Sequence, residues 1–156
     1  MRKLTRLAAI CVFSAALFAA DNPFVGTWKL NTAKSKFSPG TALKEMTVTF
    51  EAVGSEFKRT ATGVDADGQP ISQGSTVAWD GMDHKIDMPG GTVAVKVVND
   101  HTSNFTIKHE GKIVDFGRAV VSKDGKTMTV TEKGEDQKGR KVDSTCLLYT
   151  SDAADE

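Results

Sequence analysis

The central part of the chain alternates short apolar runs with turn residues. From Phe24 onward, segments rich in Val, Thr, Ile and aromatic residues are separated at close intervals by Gly, Asp and Asn, and no segment keeps a helical period. Gly, and less readily Asn or Asp, adopts the positive φ angles that tight hairpins require. The pattern predicts strands at Phe24–Asn31, Glu45–Ala52, Glu56–Val64, Ser75–Asp80, His84–Met88, Thr92–Asn99, Ser103–His109, Lys112–Val121, Thr127–Lys133 and from Arg140 onward.

Alternation within these segments assigns a core face and a solvent face. In the second segment Met46, Val48 and Phe50 share one side, and the threonines between them share the other. About ten strands in near-sequential hairpins, with no helix to cover a sheet face, predict an all-β fold, an antiparallel up-and-down β-barrel. A two-sheet β-sandwich is the alternative, because strand spacing alone does not distinguish the two. The long irregular stretch Thr32–Lys44 is expected to be a packed surface loop or a flap over one end.

The beginning of the chain predicts export. A basic start, Met1–Arg6, precedes an apolar run, Leu7–Ala20, that is too short to span a bilayer as a helix. We therefore expect a signal peptide over residues 1–20, cleaved after Ala19 or Ala20. This interpretation implies an exported bacterial protein, periplasmic or extracellular, with no transmembrane segment in its mature form.

The last eleven residues, Cys146–Glu156, resemble the translation of an adapter used in preparing sequencing libraries. The composition also changes after Thr145. We therefore expect a barrel domain over residues 21–145, a non-native tail over residues 146–156, and a last strand that is truncated near Thr145. Excluding both ends removes Cys11 and Cys146, so the predicted domain has no thiol for a disulfide, a metal site or a nucleophile.

Charge and motif content exclude several function classes. The chain carries 20 Lys or Arg and 20 Asp or Glu, without a basic cluster, so the electrostatic signature of a nucleic-acid-binding protein is absent. No pair among His84, His101 and His109 has the close spacing of a metal motif. No Gly-x-Ser-x-Gly motif occurs either. We predict no catalytic residue, no metal and no cofactor, hence no enzyme.

The segment Phe24-Val25-Gly26-Thr27-Trp28-Lys29-Leu30 resembles the opening strand of the fatty-acid-binding proteins and, through Gly26-Thr27-Trp28, of the lipocalins. Strand number and turn spacing agree with the ten-stranded member of this calycin group. The resemblance implies that Trp28 plugs the closed end of the barrel. Two further segments, Asn31–Gly40 and Val121–Val130, resemble exported bacterial lipocalin-like proteins of no known activity.

The chain also departs from the fatty-acid-binding proteins. Those proteins place a two-helix lid after the first strand, whereas Thr32–Lys44 is too short and too poor in apolar periodicity for one. Their carboxylate-binding Arg and Tyr lie on the last strand, which we expect to be truncated here. The resemblance therefore implies the calycin-like barrel fold but does not indicate which ligand the barrel binds.

Two arginines are candidates for a ligand site. Arg59 alternates in step with Phe57 and Ala61, and Arg118 alternates in step with Phe116, so either guanidinium could point into the barrel. A guanidinium in an apolar cavity is a suitable clamp for a carboxylate. The predicted ligand-binding residues are Arg59, Arg118, Phe57 and Phe116. The alternative places both arginines outside, with their stems over apolar surface.

These observations predict a monomeric, exported, non-enzymatic binding protein for a small apolar or lipid-like ligand, including one that bears a carboxylate. The alternative is a structural or interaction module of the cell envelope with a filled interior. Such a module would make its contacts through an outer face or through the loop Thr32–Lys44.

Overall fold

A computed structural model describes residues 22–151, so the predicted signal peptide lies outside the described residues, as do the last five residues of the chain. Within this range the regular structure is almost entirely β. The strands are β1 (Gly26–Leu30), β2 (Glu45–Val53), β3 (Glu56–Val64), β4 (Pro70–Val77), β5 (His84–Lys85), β6 (Gly91–Asn99), β7 (Thr102–His109), β8 (Lys112–Val121), β9 (Thr127–Glu135) and β10 (Lys141–Thr150).

All ten strands belong to one antiparallel sheet in the order β4-β3-β2-β1-β10-β9-β8-β7-β6-β5. Each strand pairs with its neighbour in sequence except at β4 and β5, which do not pair, while β1 pairs with β10. Pairing between the first and last strands bends the sheet into a nearly closed barrel. The predicted all-β, antiparallel, up-and-down barrel is confirmed, and the sandwich alternative is not what forms.

Two strands at the opening of the barrel differ from their predicted bounds. β4 begins five residues earlier than predicted, at Pro70, which an edge strand tolerates at its first position because no N–H is needed there. β5 ends at Lys85 instead of Met88, because the chain turns there, with Met88 N donating to Ile86 O at 2.8 Å. The short β5 leaves little edge for another chain to pair with.

The hairpin between β7 and β8 shows how turn residues set strand register. His109 pairs with Lys112, so Glu110 and Gly111 form a two-residue loop. Their φ angles are 50° and 78°, and positive values at both positions are what a type I′ turn requires. Gly111 adopts this conformation without a steric cost from a Cβ.

Aromatic side chains fill the end of the barrel from which β1 starts. Trp28 is 1% exposed, and its indole N–H donates to the carbonyl of Phe24 at 2.9 Å. The ring of Trp79 packs edge-on against Phe24 and Phe50 and lies 4.4 Å, centroid to centroid, from Phe57. This cluster provides an apolar floor to the interior, with Trp28 in the buried position that the resemblance implied.

The loop after β1 packs along β10. Its first turn is a short 3₁₀ helix, Thr32–Lys34, capped by the side chain of Asn31. Further on, Lys36 exchanges two backbone hydrogen bonds of 2.8 Å with Thr145, and Ser38 Oγ accepts from Asp143 N at 2.6 Å. The stretch Thr32–Lys44 is therefore a packed surface loop, the first of the two predicted forms.

The last strand continues past Thr145, the predicted end of the barrel domain, while the non-native origin of residues 146–156 stays a prediction. β10 continues to Thr150, and Cys146 and Leu148 are 7% and 4% exposed within the core. Trp28 and Leu30 pair with Thr150 and Leu148, respectively. Residues 146–150 therefore continue the inward alternation of β10 and supply the partner that β1 needs, so the last strand is not truncated near Thr145 in this structure. No helix among residues 22–151 is long and apolar enough to cross a membrane.

We predict that a chain ending at Thr145 loses cooperative folding. Removal of Leu148 alone should cost about 2–5 kcal/mol, a large share of a total of about 5–15 kcal/mol, and β1 would also lose its partner. Urea unfolding followed by tryptophan fluorescence would measure this loss. The control is a chain ending at Ser151, which keeps β10 intact. Equal unfolding midpoints for the two chains would contradict the role of β10 in closure.

Candidate functional site

Three ionisable side chains project into the barrel, one from β3 and two from the adjacent strands β8 and β9. They are Arg59 on β3, Asp115 on β8 and Glu132 on β9. Charged groups inside a β-barrel are expensive to desolvate, so their positions and partners decide what the interior can bind.

The strand register establishes that Arg59 faces inward. It alternates in step with Phe57, whose ring contacts Trp79, and with Ala61, which is fully buried. Arg59 therefore lies on the interior face, as predicted, and Phe57 lies there with it, in the aromatic floor.

Glu132 and Asp115 face the same interior from the other side of the barrel. Glu132 follows Met128 and Val130 in alternation and lies opposite Ser144, which is 3% exposed. Asp115 lies on the inward side of β8, because it alternates in step with the buried residues Ala119 and Val121. The interior therefore contains two carboxyl groups on adjacent strands.

Arg59 and Glu132 influence each other across the interior. In the sheet order β2, β1 and β10 lie between their strands, so the interaction crosses the barrel. Burial lowers the pKa of Arg59, and Glu132 opposes this shift; burial raises the pKa of Glu132, and Arg59 opposes it. Nevertheless, no hydrogen bond or ion pair joins the guanidinium of Arg59 to any residue in the range 22–151. The two charges face each other without contact.

Asp115 is the most perturbed carboxyl group of the interior. Burial, followed by the neighbouring charge of Glu132, raises its pKa from 3.8 to about 7. Its Oδ1 atom is buried and accepts no hydrogen bond from the described residues. A buried oxygen without a donor is costly, so this atom can accept from water or from a ligand.

Small residues occupy several inward positions on the strands that carry or adjoin Arg59, Asp115 and Glu132. The inward positions of neighbouring strands include Ala61, Ser103, Gly117, Ala119 and Ser144. A Cβ on Gly117 would lie 2.6 Å from the ring of Phe105, which covers this position. Small side chains at these inward positions take up little of the interior of a ten-stranded barrel.

The predicted positions of Arg118 and Phe116 need correction. Both lie on the outer face, with Phe116 49% exposed, because the inward residues of β8 are those in step with Ala119 and Val121. The apolar residues that alternate with Arg118 made the outer face of β8 resemble a core face. Phe116 and Arg118 line an open groove of about 390 Å³ together with Asn104, Thr106, Thr131 and Lys133, and with the inward positions Phe105, Gly117 and Glu132 of the same three strands.

Sequence analysis missed Asp115 and Glu132. A signal for Glu132 was present, since it continues the alternation of Met128 and Val130, which pattern alone places in the core. No comparable signal marked Asp115, because the inward positions next to it are occupied by small residues that suggest no face.

The remaining reactive groups do not form a second site. Among residues 22–151, no group of three or more His, Cys, Asp or Glu side chains is placed to hold a metal ion. His84 Nε2 lies 2.8 Å from Asp80 Oδ1 at the barrel surface. Burial, with Glu132 adding to it, raises the pKa of the Cys146 thiol to about 12, so this thiol is a poor nucleophile at neutral pH.

We predict that Asp115→Asn stabilises the protein above neutral pH. Because the folded pKa of Asp115 is raised, its contribution to stability is present at low pH and is lost as the pH rises from about 4 to about 7. The asparagine variant should match the parent near pH 4 and exceed it by about 1–2 kcal/mol near pH 8, after allowance for partial exposure. Urea unfolding at both pH values measures the difference. A difference that does not vary with pH would refute the assigned pKa.

Comparisons with known proteins give fold-level similarity only. No protein-family model matches the chain, and no curated protein matches it. A redesigned β-barrel bound to DFHBI aligns with 18% identity and a TM-score of 0.44, over 81% of this chain and 98% of that one. A zebrafish ileal bile acid-binding protein complexed with cholic acid aligns with 13% identity and a TM-score of 0.48, over 82% and 98%. Lobster apocrustacyanin A1 aligns with 13% identity and a TM-score of 0.42, over 83% and 61%. The assignment of the barrel rests on the strand pairing described above.

Proposed function

We propose that this protein is an exported, non-enzymatic carrier that binds a small amphiphilic molecule inside its barrel. The observation that carries the proposal is that the side chains of Arg59 and Glu132 face each other across the interior without forming an ion pair. In this arrangement the polar head of the ligand lies between them.

The argument starts from the hydrogen-bonding needs of Arg59. A guanidinium has five N–H donors, and an enclosed cation without acceptors is strongly disfavoured. Since no described residue accepts from Arg59, water or a ligand oxygen must do so in solution. An oxygen-bearing head group that replaces this water gains charge-assisted hydrogen bonds.

The apolar part of the ligand would lie against the aromatic end of the barrel. Trp79 contacts both Phe50 and Phe57, and these rings offer flat apolar surface next to Arg59, which is the register partner of Phe50. A polar anchor above an apolar floor is the usual chemistry of small-molecule pockets. Polar and apolar ends therefore favour an amphiphile, such as a lipid, over a fully polar metabolite.

A lipid extract provides the direct test. We expect native mass spectrometry of the gently purified protein, with and without the extract, to show a bound small molecule at a one-to-one ratio, consistent with a monomeric carrier. Protein that stays free of ligand would argue against the carrier. It would favour an envelope interaction module that uses the outer groove around Phe116.

The two arginines supply a matched pair of variants. We predict that Arg59→Gln weakens binding of decanol, a neutral amphiphile, about tenfold or more, since a hydrogen bond to a charged group contributes about 1.5–3 kcal/mol. Arg118→Gln, on the outer face, should leave the affinity unchanged. Titration followed by the fluorescence of Trp28 and Trp79 reports both values. Equal affinities in the two variants would place the head group elsewhere.

The export proposal has its own measurement. It is supported by the basic start and the apolar run that ends at Ala20. We predict that the full chain, expressed in a Gram-negative bacterium, is recovered from the periplasm with an N-terminus at Ala20 or Asp21. Intact-mass analysis of that fraction reads the cleavage site. Recovery of the uncleaved chain in the cytoplasm would contradict export.

A further inference from the structure

Resting on the proposed function, we infer that the barrel selects an amphiphile whose head group both accepts and donates hydrogen bonds, such as a primary amide, over a carboxylate. The inference comes from the opposed placement of one guanidinium and two carboxyl groups around the same interior.

One side of the interior requires an acceptor. Arg59 has no acceptor among residues 22–151, and its five N–H groups cannot accept. A carbonyl oxygen on the ligand satisfies this side. An ester, an amide and a carboxylate all provide one.

The opposite side requires a donor. Asp115 Oδ1 is buried and has no donor among the described residues, and Glu132 lies on the adjacent strand without a hydrogen-bond partner of its own. Ionised carboxylates can only accept. An ester and a carboxylate have no N–H or O–H for this side, whereas an amide NH₂ group has two.

The net charge of the interior groups also favours a neutral amide head group over a carboxylate. The charged and titratable groups that face Glu132 are Arg59, which acts on it across the interior from β3, and Asp115 and the neutral thiol of Cys146 on the adjacent strands β8 and β10, on both of which Glu132 acts. With both carboxyl groups ionised, one positive charge faces two negative charges. A ligand carboxylate would add a third negative charge and compete with Glu132 for Arg59, while a neutral amide adds none.

The experiment compares ligands that share one alkyl chain. Dissociation constants are measured for decanamide, decanoate and methyl decanoate at about pH 8, a value above the pKa of Asp115. We expect decanamide to bind about tenfold or more tightly than either of the others. The ester has the most apolar head, so simple hydrophobic binding would give the opposite order.

Variants then locate the head group. In Glu132→Gln and in Asp115→Asn the repulsion of decanoate is reduced, so the ratio of the decanoate to the decanamide dissociation constant should fall towards one. Glu135→Gln is the matched control on the same strand, since Glu135 is exposed, and it should keep the parent ratio. Circular dichroism confirms folding, and Asp115→Asn decides the result if Glu132→Gln unfolds.

The outcomes separate the two proposals. If none of the amphiphiles binds, the carrier function itself is refuted, and the inference is refuted with it. If all bind but decanoate equals or exceeds decanamide, the carrier stands and the head-group selection is wrong. A preference for decanamide that survives both interior variants also overturns the inference, because the carboxyl groups would then not contact the head.

Discussion

The pairing of β1 with β10 is the constraint on which the rest of the molecule depends. These two strands are the first and last of the fold, and their backbone hydrogen bonds join the sheet β1–β4 to the sheet β5–β10 in one ten-stranded, nearly closed barrel. Closure gives all strands one common interior. It also removes the two strand edges that would otherwise be free at β1 and β10, which leaves only β4 and β5 unpaired on one side. Without this pairing, β1–β4 and β5–β10 would be two separate sheets, and nothing in the backbone would hold Arg59 on β3 opposite Glu132 on β9.

The interior divides into an apolar end and a polar region, and the two have opposite energetic roles. The aromatic end contributes stability by removing large apolar surfaces from water, with Trp28 almost fully buried. The polar region costs stability, because Arg59, Asp115 and Glu132 are desolvated without a side-chain hydrogen bond or ion pair to any of residues 22–151. Natural sequences keep such local conflicts chiefly at functional sites, where a ligand or ordered water supplies the missing partners. The positions of Arg59, Asp115 and Glu132 therefore support the proposed ligand site.

The two candidate arginines show how far strand alternation can be used. Alternation divides each strand into two faces, but it does not say which face is inside when both carry apolar residues. β3 has polar residues opposite Ala61, so the inward position of Arg59 was predictable. β8 carries exposed Phe116 and Val120 on its outer side, whereas its inner side has Asp115, Gly117 and Ala119. The more apolar face of β8 is the outer one, and the predicted inward orientation of Arg118 and Phe116 was therefore wrong.

The amino-acid sequence by itself determined the strands, the hairpin turns and the all-β class, because these depend on contacts and backbone conformations within a few residues. Gly and Asp at the turns and the alternation within each run are local properties that can be read directly. Only the tertiary structure decided that residues 146–150 complete β10 against β1, and that Arg59, Asp115 and Glu132 meet in one interior. The physical reason is that barrel closure, burial and electrostatic coupling arise between residues distant in the chain, and no local pattern encodes which strands will lie across the barrel from one another.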